Sequence, residues 1–169
     1  MKKRINRALA YLLTLAMALA LLPAITPPPA SAGVGDTWTS CGGVPWTVGS
    51  SYSGSWTFTS ANNNDRTTAY EMTGTGGTLM VSSGVIYLVF NNYIGGARMT
   101  VAAGAHAVVF LPDGTVNAVI NGVNVPPGAT LTIEGGARGT GTLTAVCTSG
   151  AAGIGGNHLQ SSGTINILG

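Results

Sequence analysis

A twelve-residue phrase occurs three times in this chain, and it constrains the fold more than any other feature. The copies are Leu79–Phe90 (LMVSSGVIYLVF), Met99–Phe110 (MTVAAGAHAVVF) and Val123–Glu134 (VNVPPGATLTIE). Aligned without gaps, each reads apolar-x-Val, two small or proline residues, Gly, then a second alternating run. Val81, Val101 and Val125 coincide, as do Gly84, Gly104 and Gly128. Recurrence of strand, turn and strand at such a spacing marks a stacked β-solenoid, in which each repeat buries its apolar face against its neighbours. Alternate residues of a strand point to opposite faces. The alignment therefore predicts two inward stacks, Val81–Val101–Val125 and Val89–Val109–Ile133. It places His106 outside, level with Ile86 and Thr130.

The corners and a second phrase extend the unit. Ser82-Ser83-Gly84, Ala102-Ala103-Gly104 and Pro126-Pro127-Gly128 suit corners, because Gly tolerates positive φ and Pro is awkward inside a paired strand. Gly114–Ala118, Gly141–Ala145 and Gly163–Ile167 match one another, so that Val116, Leu143 and Ile165 align. They predict a third strand per coil. The expected fold is all-β: a short right-handed parallel β-helix with coils of roughly 20–27 residues and an irregular N-terminal cap. An antiparallel meander or sandwich would leave the near-identical phrases unexplained.

The two ends read differently from the repeats. Lys2, Lys3, Arg4 and Arg7 precede an apolar run from Ala8 to Leu22, and a Pro-rich stretch ends Ala30-Ser31-Ala32. That order predicts a signal peptide over residues 1–32, cleaved between Ala32 and Gly33, and hence a secreted or cell-surface protein with no membrane span after cleavage. The run is short for a span of roughly 20 residues. Removing the leader reverses the charge balance: Arg66, Arg98 and Arg138 face Asp36, Asp65, Glu71, Asp113 and Glu134. No basic patch remains, which argues against a nucleic-acid partner. At the other end the chain stops at Ile167-Leu168-Gly169, inside an expected strand. The expectation is a truncated last coil that a continuation or partner covers.

Residues 33–77 are expected to form the cap, since they hold all three tryptophans, Trp38, Trp46 and Trp56, with Tyr52 and Tyr70. Terminal units of a solenoid are atypical because they cover an open core end. Coils are expected over residues 78–169. Cys41 and Cys147 are a disulfide candidate in an exported chain; two buried thiols are the alternative.

Val123–Gly169 carries a family resemblance in the order VNVPPGATLTIEGG, GTGTLTAV, AAGIGG and SSGTINILG. It resembles the repeat of large secreted surface proteins of Gram-positive and related bacteria, whose parallel β-helix segments are described as carbohydrate-binding-domain-containing. The resemblance implies a fold like that of pectate lyases, with plant polysaccharide or calcium among the ligands of some relatives. The matching residues are corner glycines and core aliphatics, so they carry fold and not chemistry. Cys147 stands where the family often has a small residue.

A lyase on such a fold needs clustered carboxylates for calcium and a base beside them. Asp113 and Glu134 are candidates on neighbouring coils, with Arg138 close in sequence. Asp65, in Asn62-Asn63-Asn64-Asp65, is a weak third calcium candidate. His106 and His158 stand without a second ligand at metal spacing. Trp38, Trp46, Tyr52 and Trp56, with Tyr87, suit a sugar-stacking platform or the filling of the cap. The expectation is a non-catalytic, structural or adhesive module, with polysaccharide or cell-wall material as partner, no catalytic residues and no cofactor except calcium if any. A polysaccharide lyase or hydrolase is the alternative, and a fragment without independent function is the third.

Overall fold

The computed structural model describes residues 33–147 and 150–169. The expected leader, Ala32 included, lies outside them. Among the described residues there is no α-helix, and no helix long and apolar enough to cross a membrane. The strands that carry the fold are β1 Thr37–Thr39, β2 Pro45–Tyr52, β3 Trp56–Phe58, β4 Ala69–Met72, β5 Leu79–Val81, β6 Val85–Phe90, β7 Ile94–Gly95, β8 Met99–Val101, β9 His106–Leu111, β10 Val116–Ile120, β11 Val123–Asn124, β12 Thr130–Gly135, β13 Thr142–Val146, β14 Ile154–Gly155 and β15 Thr164–Leu168.

They form a β-solenoid with three parallel faces. One sheet runs β1-β2-β4-β6-β9-β12-β15, a second β3-β5-β8-β11-β14, and a third β7-β10-β13. Among the described residues, every pairing of these strands is parallel except β1 with β2. From β6 onward each turn visits the seven-stranded, the three-stranded and then the five-stranded sheet. Side chains from all three fill one core: Leu79, Val81, Leu88, Met99, Val101, Val109, Val119, Val123, Leu131 and Ile133 are all buried in it. Each such side chain contributes about 1.5–3 kcal/mol of burial.

The repeated phrase is right about the corners and off by one beyond the first. Gly84, Gly104 and Gly128 all have positive φ, at 79°, 79° and 82°. Val81 pairs with Val101. After the corner, however, Val85 faces His106 and Leu88 faces Val109, so the spacing grows by one position within a single rung. The later copies carry an extra corner residue, Ala105 and Ala129, both buried, and the first copy has none. A one-residue slip sends every side chain to the other face. The inner stack is therefore Leu88–Val109–Ile133. Val89 points outward, Ile86 points into the core, and His106 is level with Val85 and Thr130.

Two further expectations are corrected. The alignment of the second phrase sets Val116 against Leu143, but the pairing of β10 with β13 sets it against Thr142, one position earlier. The third copy of that phrase is β15, which lies in the seven-stranded sheet beside β12. Gly-Thr-aliphatic-x-aliphatic encodes a turn leading into a strand, not a particular face. The coil that ends in β15 is also long, running from Thr130 to its partner Thr164, because an excursion around β14 intervenes.

The N-terminal segment does two separate things. Tyr52, Trp56, Phe58 and Tyr70 pack together at the first rung, with centroid distances of 4.2 Å for Tyr52–Trp56 and 5.1 Å for Phe58–Tyr70. They cover the core end, as a cap should. The β1–β2 hairpin does something else. It leaves the sheet at a register shift between Val48 and Ser50 and lies across the outer face of β4, β6, β9 and β12. Its tip reaches the third full coil, where Cys41 N donates to Gly135 O and Ala137 N to Thr39 O. Beneath it Trp46, Val48, Ala69, Val89, Val108 and Phe110 form a second apolar cluster. That strap explains the near-continuous apolar runs of β6 and β9, which are buried on both faces.

Candidate functional site

The four aromatic candidates do not form one platform. Trp46 is fully buried, stacked on Phe110 at 5.0 Å, with Tyr87 at 5.6 Å. It is closed to any ligand. Trp38 packs on Phe110 at 6.3 Å in the same cluster. Tyr52 and Trp56 belong to the end cap, and Trp56, with its indole N–H on Ser53 O, keeps an exposed edge. The alternation Trp56-Thr57-Phe58 shows that two rings share a face of one strand, but not which body they pack against.

The carboxylate candidates are likewise dispersed. Glu134 does not meet Arg138. Its Oε1 takes the Arg66 guanidinium and its Oε2 accepts from Trp46 Nε1 at 3.2 Å. Arg66 and Glu134 lie in distant segments of the chain, so no local pattern could reveal the pair. The guanidinium also lies over the rings of Trp46 and Tyr87, at 5.4 Å and 5.2 Å. The hydrogen bond to Glu134 raises the Arg66 pKa, against burial. Asp113 accepts from the backbone N–H groups of Arg138 and Thr140 and from the Thr140 hydroxyl. Burial pushes its carboxyl up, but those hydrogen bonds outweigh it and hold the pKa below the ordinary value.

The Asn-rich loop is spent on the fold. Asp65 accepts from the hydroxyls and N–H groups around Thr67 and Thr68, led by the Thr67 hydroxyl, and its pKa is lowered. Asn62 closes a reciprocal cap with Thr59. Asn63 Oδ1 accepts from Val85 N at 2.9 Å, and Asn64 accepts from Tyr87 N at 2.8 Å while donating to Tyr87 O. The reason lies in the register. The β4 pairing begins opposite Leu88, so the first residues of β6 lack a strand neighbour on that side, and the two amides stand in for it. A buried backbone N–H left bare would be costly.

Among the described residues, no group of three or more His, Cys, Asp or Glu is placed to hold a metal ion. His106 hydrogen-bonds Thr132 Oγ1 at 3.0 Å, and burial lowers its pKa. No disulfide joins Cys41 and Cys147. Cys41 is exposed at the strap tip beside Gly135, whereas Cys147 follows β13 on another face. Glu71 gave no signal in the sequence. It is buried, its Oε1 accepts from Asn91 Nδ2 at 2.9 Å, and its Oε2 has no hydrogen-bond partner among the described residues.

Among the described residues, two surface features stand out. One is a cleft of about 340 Å³ between the strap tip and the sheet, lined by Ser40, Cys41, Val44, Arg66, Glu134 and Leu168. The other is the outer face of the three-stranded sheet. Ile94, Val116, Ile120 and Val146 are exposed there, Val116 at 66%, with Thr142 and Thr144 between them. β7, β10 and β13 contain no charged residue. No family model, curated protein or solved structure matched the chain.

Proposed function

We propose that this chain is a non-catalytic module of an exported bacterial surface protein, structural and adhesive, that contacts polysaccharide through a flat face of its solenoid. One observation carries the reading: an uncharged, regular outer face on β7, β10 and β13, bearing four exposed aliphatics and two threonines. With strands about 4.8 Å apart and residues about 3.3 Å apart, it offers methyl groups and hydroxyls on a rigid grid. An exposed apolar patch on an otherwise packed β-fold commonly marks a contact surface. A neutral polymer surface meets no charge there and no side chain that must be reordered. The commitment of Asn63, Asn64, Asp65 and Asp113 to backbone N–H groups supports a module that presents surface and not reacting groups.

Pull-down of the Gly33–Gly169 unit on cellulose, pectin, chitin and peptidoglycan, with and without calcium, tests it. Saturable binding to one polymer, lost in the double variant Val116→Asn/Ile120→Asn, is the expected result. Loss on Trp56→Ala instead would move the contact to the cap. No binding to any polymer overturns the polysaccharide reading. A pectate-lyase-like activity stands second on one observation, Arg66 beside Glu134 in a cleft, and release of unsaturated oligosaccharides from pectin would establish it.

A further inference from the structure

We infer that the β1–β2 hairpin is an acid-released strap: protonation of Glu134 unlatches it from the outer face of the seven-stranded sheet while the solenoid stays folded. Three features of the hairpin support a separable unit. It departs at the register shift between Val48 and Ser50. Between them Gly49 crosses the loop backbone so closely that a Cβ would sit 3.0 Å from Thr68 Cα and O. The apolar cluster beneath the strap is distinct from the solenoid core. Lifting the strap therefore breaks its own cluster and not the core, and such a unit opens below the global unfolding free energy.

The latch is one carboxylate. Among the described residues, Trp46 Nε1 to Glu134 Oε2 is the side-chain hydrogen bond that joins the strap to the sheet. The same carboxylate holds Arg66, whose guanidinium lies over the Trp46 ring. Protonating Glu134 weakens two charge-assisted contacts at once and leaves the Arg66 cation without its counter-ion. What opens is an apolar strip: Tyr87, Val89, Val108 and Phe110.

The other titratable groups near the strap do not bridge it to the sheet. Asp36 accepts from Gly33 N within the strap's own start. Glu71 lies on the same outer face, level with Val89, and accepts from Asn91, and His106 hydrogen-bonds Thr132. At the tip Asp113 is held by Arg138 N and Thr140, and Cys41 is exposed.

Amide exchange on the full chain at neutral pH and at a pH below the ordinary carboxylate range tests the latch. The amides of Cys41, Thr47 and Ala137, which bond strap to body, should lose protection at acid pH about tenfold more than those of Val109 and Leu131. Glu134→Gln should give the open pattern at both pH values. Trp46→Phe keeps the ring and removes the N–H; it should move the strap the same way, and it carries the test if Glu134→Gln does not fold. Glu71→Gln and His106→Gln should keep the acid response. Strap and solenoid losing protection together would overturn the inference. So would an acid response that survives Glu134→Gln, or one abolished by Glu71→Gln or His106→Gln.

Discussion

The outer faces of the seven-stranded and three-stranded sheets are built from the same short parallel strands, yet one is covered and the other bare. On the covered face Val89, Val108 and Phe110 are buried under the β1–β2 strap. On the bare face Val116, Ile120 and Val146 are exposed. Coil stacking alone therefore specifies only the inner face. What an outward side chain means depends on whether another segment returns to cover it. The covered face gains a second apolar cluster and buries charges that must be paired. The bare face leaves its aliphatics exposed, with Ile120 directly beside Val146, and its strands carry no charge.

The largest expected effect breaks the covered face. Trp46→Ala removes the ring stacked on Phe110 and the indole bond to Glu134. It should cost about 3–5 kcal/mol in urea unfolding, with little change if the strap is only draped over the sheet. Next, Asn64→Ala strips the N–H of Tyr87 of its stand-in partner; a loss of about 1–2 kcal/mol is expected from the same measurement. On the bare face, Val116→Thr should leave stability within about 0.5 kcal/mol. A larger loss would mean that the face is covered after all.

The smallest effect sharpens the electrostatics of the covered face. His106 has its pKa lowered by burial from an ordinary value of 6.5, so the unfolded chain binds the proton first. Its contribution to stability is present above about that pH and falls away as pH drops toward the lowered folded value. The stability difference between the parent chain and His106→Gln, followed across this range, should narrow on acidification. A difference independent of pH would remove His106 from the account.

The corners, the core valines and the parallel stacking were legible because they recur. Gly84, Gly104 and Gly128 each need a positive φ, and a repeat displays that need three times. The register beyond the first corner was not legible. Ala105 and Ala129 look like ordinary small residues, and only the pairing of Val85 with His106 reveals that the first copy lacks their counterpart. The site residues were harder still. Asp113 and Glu134 were visible as carboxylates, but their partners depend on which loops come home beside them. Asp113 went to the backbone of its neighbouring turn, and Glu134 went to Arg66 and Trp46.

By itself, the sequence determined a β-solenoid, because periodic strand and corner chemistry is local and each repeat poses the same packing problem. Tertiary structure alone decided which outward face is covered, which aromatic ring is sealed away, and which cation neutralises Glu134. Those outcomes rest on contacts between segments far apart in the chain, where the free energy of one arrangement over another comes from shape and charge brought together by folding. No period in the chain encodes them.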